Sequence, residues 1–319
     1  MSSSRRAAVV PALFLAATAV LVVVLGIPYQ RDVLAAWLLL GLLCFSLSDL
    51  RGYARGVMFE WLPFIAILIA YDSLRGSAAH LFGVHYLPQL QFDRAAFGGT
   101  APTVALQHWL WHGHVAWYDV IAWGTYMTHF FATPILGATL WKVDRARFHR
   151  FVVSVAALSF AGLVTYALYP AAPPWMASQA HLLAPITRIL PDVWHSLNLH
   201  SAGTVVESGY QYANNVAAVP SLHAALSLLI AITLWPRTRT WLRPVVASYP
   251  IIMAFSLIYT GEHYLSDILL GWTYAMIVTR TLQAIVRRRA HRRAMPAVGT
   301  TPEPASPGEP ALGSALVSE

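Results

Sequence analysis

The chain has 319 residues, of which 57% are hydrophobic and only 11% are charged. Because a soluble domain typically has a charged fraction of about 25%, this composition excludes an ordinary soluble enzyme and predicts a polytopic helical membrane protein. The single cysteine, Cys44, excludes an internal disulfide, a cysteine-based zinc site and a dithiol couple.

The net charge of +7 does not indicate nucleic-acid binding, because the basic residues are grouped in short blocks between apolar runs. These blocks are Arg5 and Arg6, Arg51 and Arg55, and residues 142–150, 236–243 and 287–293. Such grouping is typical of membrane proteins, in which Lys and Arg mark the cytoplasmic loops. We therefore expect the blocks to face anionic lipid, and we expect no nucleic-acid partner.

Eight apolar runs are predicted to cross the membrane, which makes the expected fold an all-α polytopic helix bundle. The predicted spans are residues 7–27, 33–48, 57–71, 117–141, 151–169, 216–236, 244–260 and 263–284. The first run resembles a signal peptide, but it is too long for one and another span follows at once, so we expect a retained helix. If the N-terminus lies inside, every basic block falls on the cytoplasmic side.

Three segments lie outside these spans. Residues 72–116 and 170–215 are predicted to face outward, and their aromatic, Pro, Gly and His content favours re-entrant or interfacial structure over soluble domains. Residues 294–319 are rich in Pro, Ala and Ser and have no hydrophobic periodicity, so a disordered tail is predicted.

The outward segment 72–116 ends in the sequence QHWLWHGH, in which His108, His112 and His114 have a spacing compatible with a metal site. However, no carboxylate or cysteine lies nearby, and the flanking tryptophans are typical of an interfacial aromatic belt. We therefore predict no metal.

Two polar residues interrupt the fourth predicted span. Asp119 and His129 are ten residues apart, which places them near one helix face about three turns from each other. His129 lies deep in the span and should face the interior of the bundle. There it would either line a substrate cavity or form a hydrogen bond to a neighbouring helix.

The sixth span opens with the sequence NNVAAVPSLHAALSLL, residues 214–229. Pro220 and Ser221 are typical of a helix start, with Ser221 as the N-cap, and this places His223 in the first turn. In the predicted topology this helix begins at the same face as the last span. Two helix N-termini at one face, with free N–H groups and positive dipole ends, suit a phosphate ligand.

The last span begins with YTGEHYLSD, in which His263 and Asp267 are four residues apart. On a helix this spacing puts both side chains on one face. The carboxylate can then bind one ring nitrogen of the histidine, fix its tautomer and leave the other nitrogen available as a base or nucleophile. The alternative is a structural pair at a helix end, but ionisable residues inside a membrane span are generally functional.

Taken together, PSLHAA and the later YTGEHYLSD resemble the second and third signatures of the type 2 phosphatidic acid phosphatase superfamily. The matching positions are Pro220, Ser221, His223, Ser256, His263 and Asp267. The resemblance implies that His263 attacks phosphorus to form a phosphohistidine, Asp267 orients it, and His223 protonates the leaving oxygen. It also implies that no metal or cofactor takes part.

Two cations of the ordinary phosphatases are missing from this chain. Leu257 stands where the third signature has arginine, and residues 168–177 carry no basic residue where the first signature is expected. A branch that shares these absences is the inositol phosphorylceramide synthases and their bacterial relatives. The chain resembles that branch in Ala172–Trp175 (APPW) and in YDSLRG, which contains Asp72 and Arg75.

The reaction still requires positive charge on the transferring phosphoryl group. Arg75 is the first candidate, because its guanidinium matches a phosphate bidentately, with Arg94 and Arg188 as further candidates. The alternative roles of Arg75 are snorkelling to the interface or pairing with Asp72. Glu262 could tune His263, act as a base or serve as a cap.

The predicted site therefore has a catalytic set and a substrate-binding set. The catalytic residues are His223, His263 and Asp267, and the substrate-binding residues are Asp72, Arg75, Asp119, His129, Trp175 and Ser221. Residues 1–56 are expected to form two accessory helices, 57–285 a catalytic six-helix core, and 286–319 a basic cytoplasmic segment and disordered tail.

The resemblance implies a membrane phosphotransferase that moves the head group of a phospholipid donor, such as phosphatidylinositol, to a lipid or glycan hydroxyl. The first alternative is a lipid phosphatase acting on phosphatidic acid or a polyprenyl diphosphate. The second is a non-catalytic lipid-binding or transport protein, although transporters usually place their site near the bilayer midplane. The expected location is a bacterial inner membrane with an extracytoplasmic site.

Overall fold

The computed structural model describes residues 3–25, 31–77, 82–197 and 214–294. The predicted disordered tail falls, except for its first residue, outside the described residues. Within the described ranges the secondary structure is helical, apart from two isolated β-bridges that join His85 to Ala171 and Ala171 to Ala217. This confirms the all-α prediction for the described part of the chain.

The helices of the described residues follow in chain order. They are α1 (Ser3–Leu25), α2 (Arg31–Cys44), α3 (Leu50–Gly56), α4 (Leu62–Ser77), α5 (Leu87–Ala96), α6 (Pro102–Leu110), α7 (Trp117–Val143), α8 (Arg145–Leu168), α9 (Pro174–Gln179), α10 (Ile189–Ser196), α11 (Leu222–Leu234), α12 (Arg243–Tyr259) and α13 (Leu265–Ala294). A π-helical turn, Val57–Trp61, joins α3 to α4. Residues 1–282 form one compact unit, and residues 283–319 belong to a second.

Four helical stretches among the described residues are long and apolar enough to cross a membrane. They are Leu50–Gly76, Arg145–Leu168, Thr240–Tyr259 and Leu265–Arg292, and they overlap four of the eight predicted spans. Val9–Leu21, Val33–Cys44 and Leu222–Arg237 are apolar but shorter, and α7 is long but more polar. The count of eight spans and the six-helix core therefore stay predictions.

The third span begins earlier than its apolar run indicates. The carboxylate of Asp49 accepts a hydrogen bond from the Gly52 backbone N–H at 2.8 Å and thereby caps α3. The helix then continues through the π-turn into α4, so the polar segment with Arg51 and Arg55 is also helical. Sequence hydropathy missed this extension because it follows apolar character, whereas the helix start is set by the cap.

The centre of the bundle is formed by α4, α7, α8, α11 and α12, which pack against one another. Its largest apolar cluster includes Trp61 from the π-turn, Trp141 from α7, Phe148 from α8 and Leu229 from α11, all almost fully buried. The accessory helix α2 packs on α7 at the edge of this cluster. The packing fixes the position of the N-terminus of α11, where the candidate site begins.

Candidate active site

The start of α11 places His223 at the second helical residue. Ser221 is the N-cap, as the sequence predicts, and its hydroxyl accepts a hydrogen bond from the Ala224 backbone N–H at 3.3 Å. The phenol of Tyr166 donates to the Pro220 carbonyl at 2.8 Å and holds the preceding loop. His223 therefore projects from a fixed helix end.

A tight turn before α13 places His263. Gly261 has φ +82°, a left-handed conformation that a side chain would strain. The buried amide of Gln107 donates to the Tyr259 carbonyl at 2.9 Å and to the Thr187 carbonyl at 2.8 Å. This side chain therefore links the turn to the segment that leads into α10, and nothing in the sequence pattern identified it.

Asp267 organises the first turn of α13. Its Oδ2 accepts a hydrogen bond from the Nδ1–H of His263 at 3.3 Å and another from the Tyr264 backbone N–H at 2.9 Å. The carboxylate is fully buried, whereas the His263 side chain is 9% exposed. With Nδ1 carrying the proton, the Nε2 of His263 keeps its lone pair.

The starts of α11 and α13 are in direct contact. The Ser221 backbone N–H donates to the Asp267 carbonyl at 3.0 Å. One turn further along α13, a Cβ added at Gly271 would lie 2.3 Å from the Ser221 carbonyl oxygen. Only glycine permits this approach, so Gly271 is a structural requirement of the site that the sequence analysis missed.

This contact brings the two predicted catalytic imidazoles together. The ring centroids of His223 and His263 are 5.9 Å apart, so both rings can contact the same phosphoryl group. On its other side, His223 lies against α7, with centroid distances of 3.9 Å to His129 and 4.5 Å to Tyr126. His129 therefore lies beside His223, its role in substrate binding stays a prediction, and Tyr126 is an additional aromatic contact.

A single cavity of about 540 Å³ contains both imidazoles. The predicted substrate-binding residues that line it are Asp72, Arg75, His129 and Trp175. Asp119 and Ser221 are fully buried and lie outside the cavity lining. Asp119 accepts hydrogen bonds from the Tyr259 hydroxyl at 2.5 Å and the Ala116 backbone N–H at 2.7 Å, and so it fixes the start of α7.

An ion pair stands beside His263 at the polar end of the cavity. The Arg188 guanidinium donates two hydrogen bonds to the Glu262 carboxylate, at 2.7 and 3.1 Å, and lies 4.5 Å from the centre of the Trp175 ring. All three side chains line the cavity. The sequence left the role of Glu262 open, and the structure shows it holding Arg188 next to the predicted nucleophile.

Among the unsatisfied buried nitrogen atoms of cavity residues are those of Arg75 and His223. Neither the Nε of Arg75 nor the Nε2 of His223 has a hydrogen-bond partner among the described residues. Buried polar atoms are normally paired, so both atoms suit an anionic ligand that completes the site. Arg75 and Arg188 together can supply the positive charge that the missing signature residues would otherwise provide.

Asp93 on α5 supports the site from outside it. Its fully buried carboxylate accepts hydrogen bonds from the backbone N–H groups of Leu265 at 3.1 Å and Ser266 at 3.4 Å, at the start of α13. Burial, together with a smaller contribution from the nearby Asp267, raises the pKa of Asp93 to about 6 against the effect of these two donors. No sequence pattern indicated this contact.

We expect Asp93→Asn to change how thermal stability depends on pH. The folded-state pKa of Asp93 exceeds its ordinary value of 3.8. The contribution of protonated Asp93 to the free energy of unfolding is therefore complete below about pH 4 and is lost as pH rises through about 6. The asparagine cannot ionise but still accepts a hydrogen bond. The melting temperature of the variant in detergent, compared with that of wild type at the same pH, should therefore rise as pH increases from about 4 to about 6. The change is equivalent to at most about 3 kcal/mol.

The matched control for this experiment is Asp49→Asn, which alters an exposed carboxylate that caps α3. Its melting temperature relative to wild type should stay constant across the same pH range. A constant difference for Asp93→Asn would contradict the assigned ionisation.

The histidines of the QHWLWHGH sequence do not form a metal centre in the described structure. No group of three metal-ligating side chains occurs among the described residues. The rings of His112 and His114 lie 6.4 Å apart and both are exposed.

Comparison with known proteins gives two matches. A family model described as the PAP2 superfamily matches residues 91–281. A phosphoinositol dihydroceramide synthase of Bacteroides thetaiotaomicron is 29% identical over 240 residues, which cover 70% of this chain and 75% of that protein. No solved structure matches the chain significantly.

Proposed function

The chain belongs to the PAP2 superfamily, and on that premise we propose that it moves a phospholipid head group to a lipid or glycan hydroxyl through a phosphohistidine on His263. Family membership and the apolar helices make it an integral membrane enzyme of the phosphatidic acid phosphatase type. The observation that carries the proposal is the approach of His223 to the His263–Asp267 pair within one cavity.

In the first step, the Nε2 of His263 attacks the phosphorus of the donor phosphodiester. Asp267 holds the ring by its Nδ1–H and stabilises the positive charge that develops on it. The bond between phosphorus and the glycerol oxygen breaks, and protonated His223 gives its proton to the departing diacylglycerol. The products are neutral His223 and a phosphohistidine that still carries the head group.

In the second step, neutral His223 accepts a proton from the acceptor hydroxyl as that oxygen attacks phosphorus. The P–N bond breaks, so His263 is restored and His223 is protonated again. Dividing the transfer into two displacements avoids direct attack of a weakly nucleophilic alcohol on the donor. The guanidinium groups of Arg75 and Arg188 suit the negative charge of the phosphoryl oxygens in both steps.

Phosphatidylinositol is the donor that the comparisons favour. The Bacteroides relative is named a phosphoinositol dihydroceramide synthase, and this chain also lacks two cations of the phosphatase signatures. Four polar side chains, those of Glu262, Arg188, Asn214 and Asn215, line the same cavity as His263. Such a set can bind the hydroxyl groups of a polyol head group.

We place the site at the extracytoplasmic face of a bacterial inner membrane. The basic blocks of the sequence support this orientation, because with the blocks inside, α11 and α13 begin at the outer face. Donor and acceptor would then be lipids or glycans accessible from that face.

The test is a transfer assay with purified protein in vesicles that contain phosphatidylinositol labelled in its head group, together with a lipid extract as the acceptor source. We expect the label to appear in a new lipid and diacylglycerol to be released in equal amount. Release of inorganic phosphate from phosphatidic acid or a polyprenyl diphosphate, without transfer, would instead identify a lipid phosphatase. Absence of both reactions would support the non-catalytic alternative.

A further inference from the structure

The cavity that contains the two imidazoles has a polar end and an apolar end. At the polar end are His263, Arg188 and Arg75, and at the other end the lining is mainly apolar, with Thr133 and Ser159 as polar exceptions. The apolar lining includes Leu34 and Leu38 of α2, Phe64 and Leu68 of α4, and Phe130 and Pro134 of α7. Both ends belong to one continuous cavity of about 540 Å³, a volume typical of small-molecule sites.

Along α7 and α4, the cavity-lining side chains change from polar to apolar with distance from the imidazoles. On α7, the cavity is lined by Tyr126 and His129 beside His223, and then by Phe130 and Pro134. Along the π-turn and α4, the lining extends from Arg75 down to Trp61, which at ~1.5 Å per residue corresponds to about 20 Å. The lining is therefore long enough to contact an extended hydrocarbon chain.

Two walls of the apolar end come from outside the region that the family shares. The PAP2 superfamily match covers residues 91–281, whereas α2 and α4 lie between Arg31 and Ser77. Although α2 was predicted to be accessory, it packs on α7 and lines this end of the cavity. Its contribution therefore comes from outside the residues that the family model matches.

The proposed chemistry determines which substrate group points towards the apolar end. In an in-line displacement the leaving group departs on the side of phosphorus opposite to the nucleophile. With His263 as nucleophile and His223 as acid, the diacylglycerol leaves past His223. Two apolar residues near His223 line the cavity: Leu226, one turn further along α11, and Phe130, whose ring centroid is 6.2 Å from that of His223.

We propose that the apolar end is an acyl-chain site for the diacylglycerol part of the donor phospholipid, and that α2 forms one of its walls. The proposal rests on the proposed function for the direction of the leaving group. Because the acyl chains of a membrane lipid already lie in hydrocarbon, binding there depends on packing contacts and not on removal of methylene groups from water. The depth of the site therefore selects donors whose acyl chains fill it.

The first test measures binding without turnover. The inactive variant His263→Ala is mixed with a phosphatidylinositol that carries a photoreactive group near the end of one acyl chain, and labelled peptides are mapped. We expect labelling of the α2 and α4 segments that contain Leu38 and Leu68. A tryptophan at Ala35, which lines the cavity, should reduce this labelling at least about tenfold.

The matched control is Ala36→Trp, because Ala36 is adjacent on α2 but exposed and outside the cavity lining. It should leave the labelling unchanged. Equal labelling in both variants, or labelling distributed over lipid-facing positions such as Ile67, would overturn the acyl-chain site.

The second test uses the active protein and donors with the same head group but long or short acyl chains. Ala35→Trp should lower kcat/KM for the long-chain donor at least about tenfold and for the short-chain donor by less than about twofold. An equal loss for both donors would overturn the acyl-chain site. If wild type transfers from neither donor, the proposed function fails, and the labelling experiment still decides whether the acyl-chain site exists.

Discussion

Replacement of His263 by alanine is expected to reduce head-group transfer by about four orders of magnitude or more. The side chain is the proposed nucleophile, and no other described residue offers an imidazole with both a buried carboxylate at Nδ1 and access to the cavity. Loss of a nucleophile typically removes nearly all of the catalysed rate. The measurement is transfer of labelled head group in vesicles, combined with rapid acid-free quenching to trap the phosphohistidine.

The trapped label distinguishes a chemical role from a structural one. Wild type should carry alkali-stable, acid-labile label on the peptide that contains His263, and the alanine variant should carry none while keeping its melting temperature within a few degrees. His112→Ala is the matched control, because that imidazole is exposed and lies outside the cavity lining. Normal labelling of His263→Ala would exclude this residue as the nucleophile.

Replacement of His223 by alanine is expected to give a loss that depends on the leaving group. General-acid catalysis typically contributes 10²–10⁴-fold, on the order of the loss expected with a phospholipid donor, whose glycerol oxygen departs poorly without a proton. A donor with a nitrophenol leaving group needs no such proton, so we expect a loss below about tenfold with that donor. The measurement is kcat/KM for both donors in wild type and variant.

A second variant separates acid catalysis from general damage to the site. Asp267→Asn should misorient the nucleophile and therefore lower transfer from both donors to a similar extent. If His223→Ala lowers kcat/KM to a similar extent for both donors, His223 positions the substrate or supports the fold and does not protonate the leaving group.

The helical elements were largely predictable because their signals are local. Apolar runs identified the stretches that become the four long apolar helices, since lipid requires each backbone to satisfy its own hydrogen bonds. Ser221 was identified as an N-cap from its neighbours alone, and its hydroxyl does accept the Ala224 N–H. The start of α3 was missed because one capping side chain, Asp49, extends the helix into a polar segment.

Part of the candidate site was also predictable from local sequence signals. The hydrogen bond between His263 and Asp267 was predicted from helical spacing, but His263 lies in the turn before α13, and the contact forms because Asp267 in the first turn of α13 faces back towards that turn. The predicted involvement of Asp119 and Ser221 in substrate binding had the same local basis, but the structure buries both outside the cavity lining. A sequence shows that a polar residue occurs in a span, but not whether a backbone N–H or a ligand receives its hydrogen bond.

The sequence by itself determined where the long apolar helices lie, which helix starts carry the imidazoles, and which carboxylate pairs with His263. Only the tertiary structure decided that His223 lies beside His263 and His129, that Arg188 pairs with Glu262, and that Asp93 caps the start of α13. Those contacts join residues far apart in the chain. They depend on how closely neighbouring helices approach, as at Gly271 against Ser221, and side-chain packing between helices sets that distance.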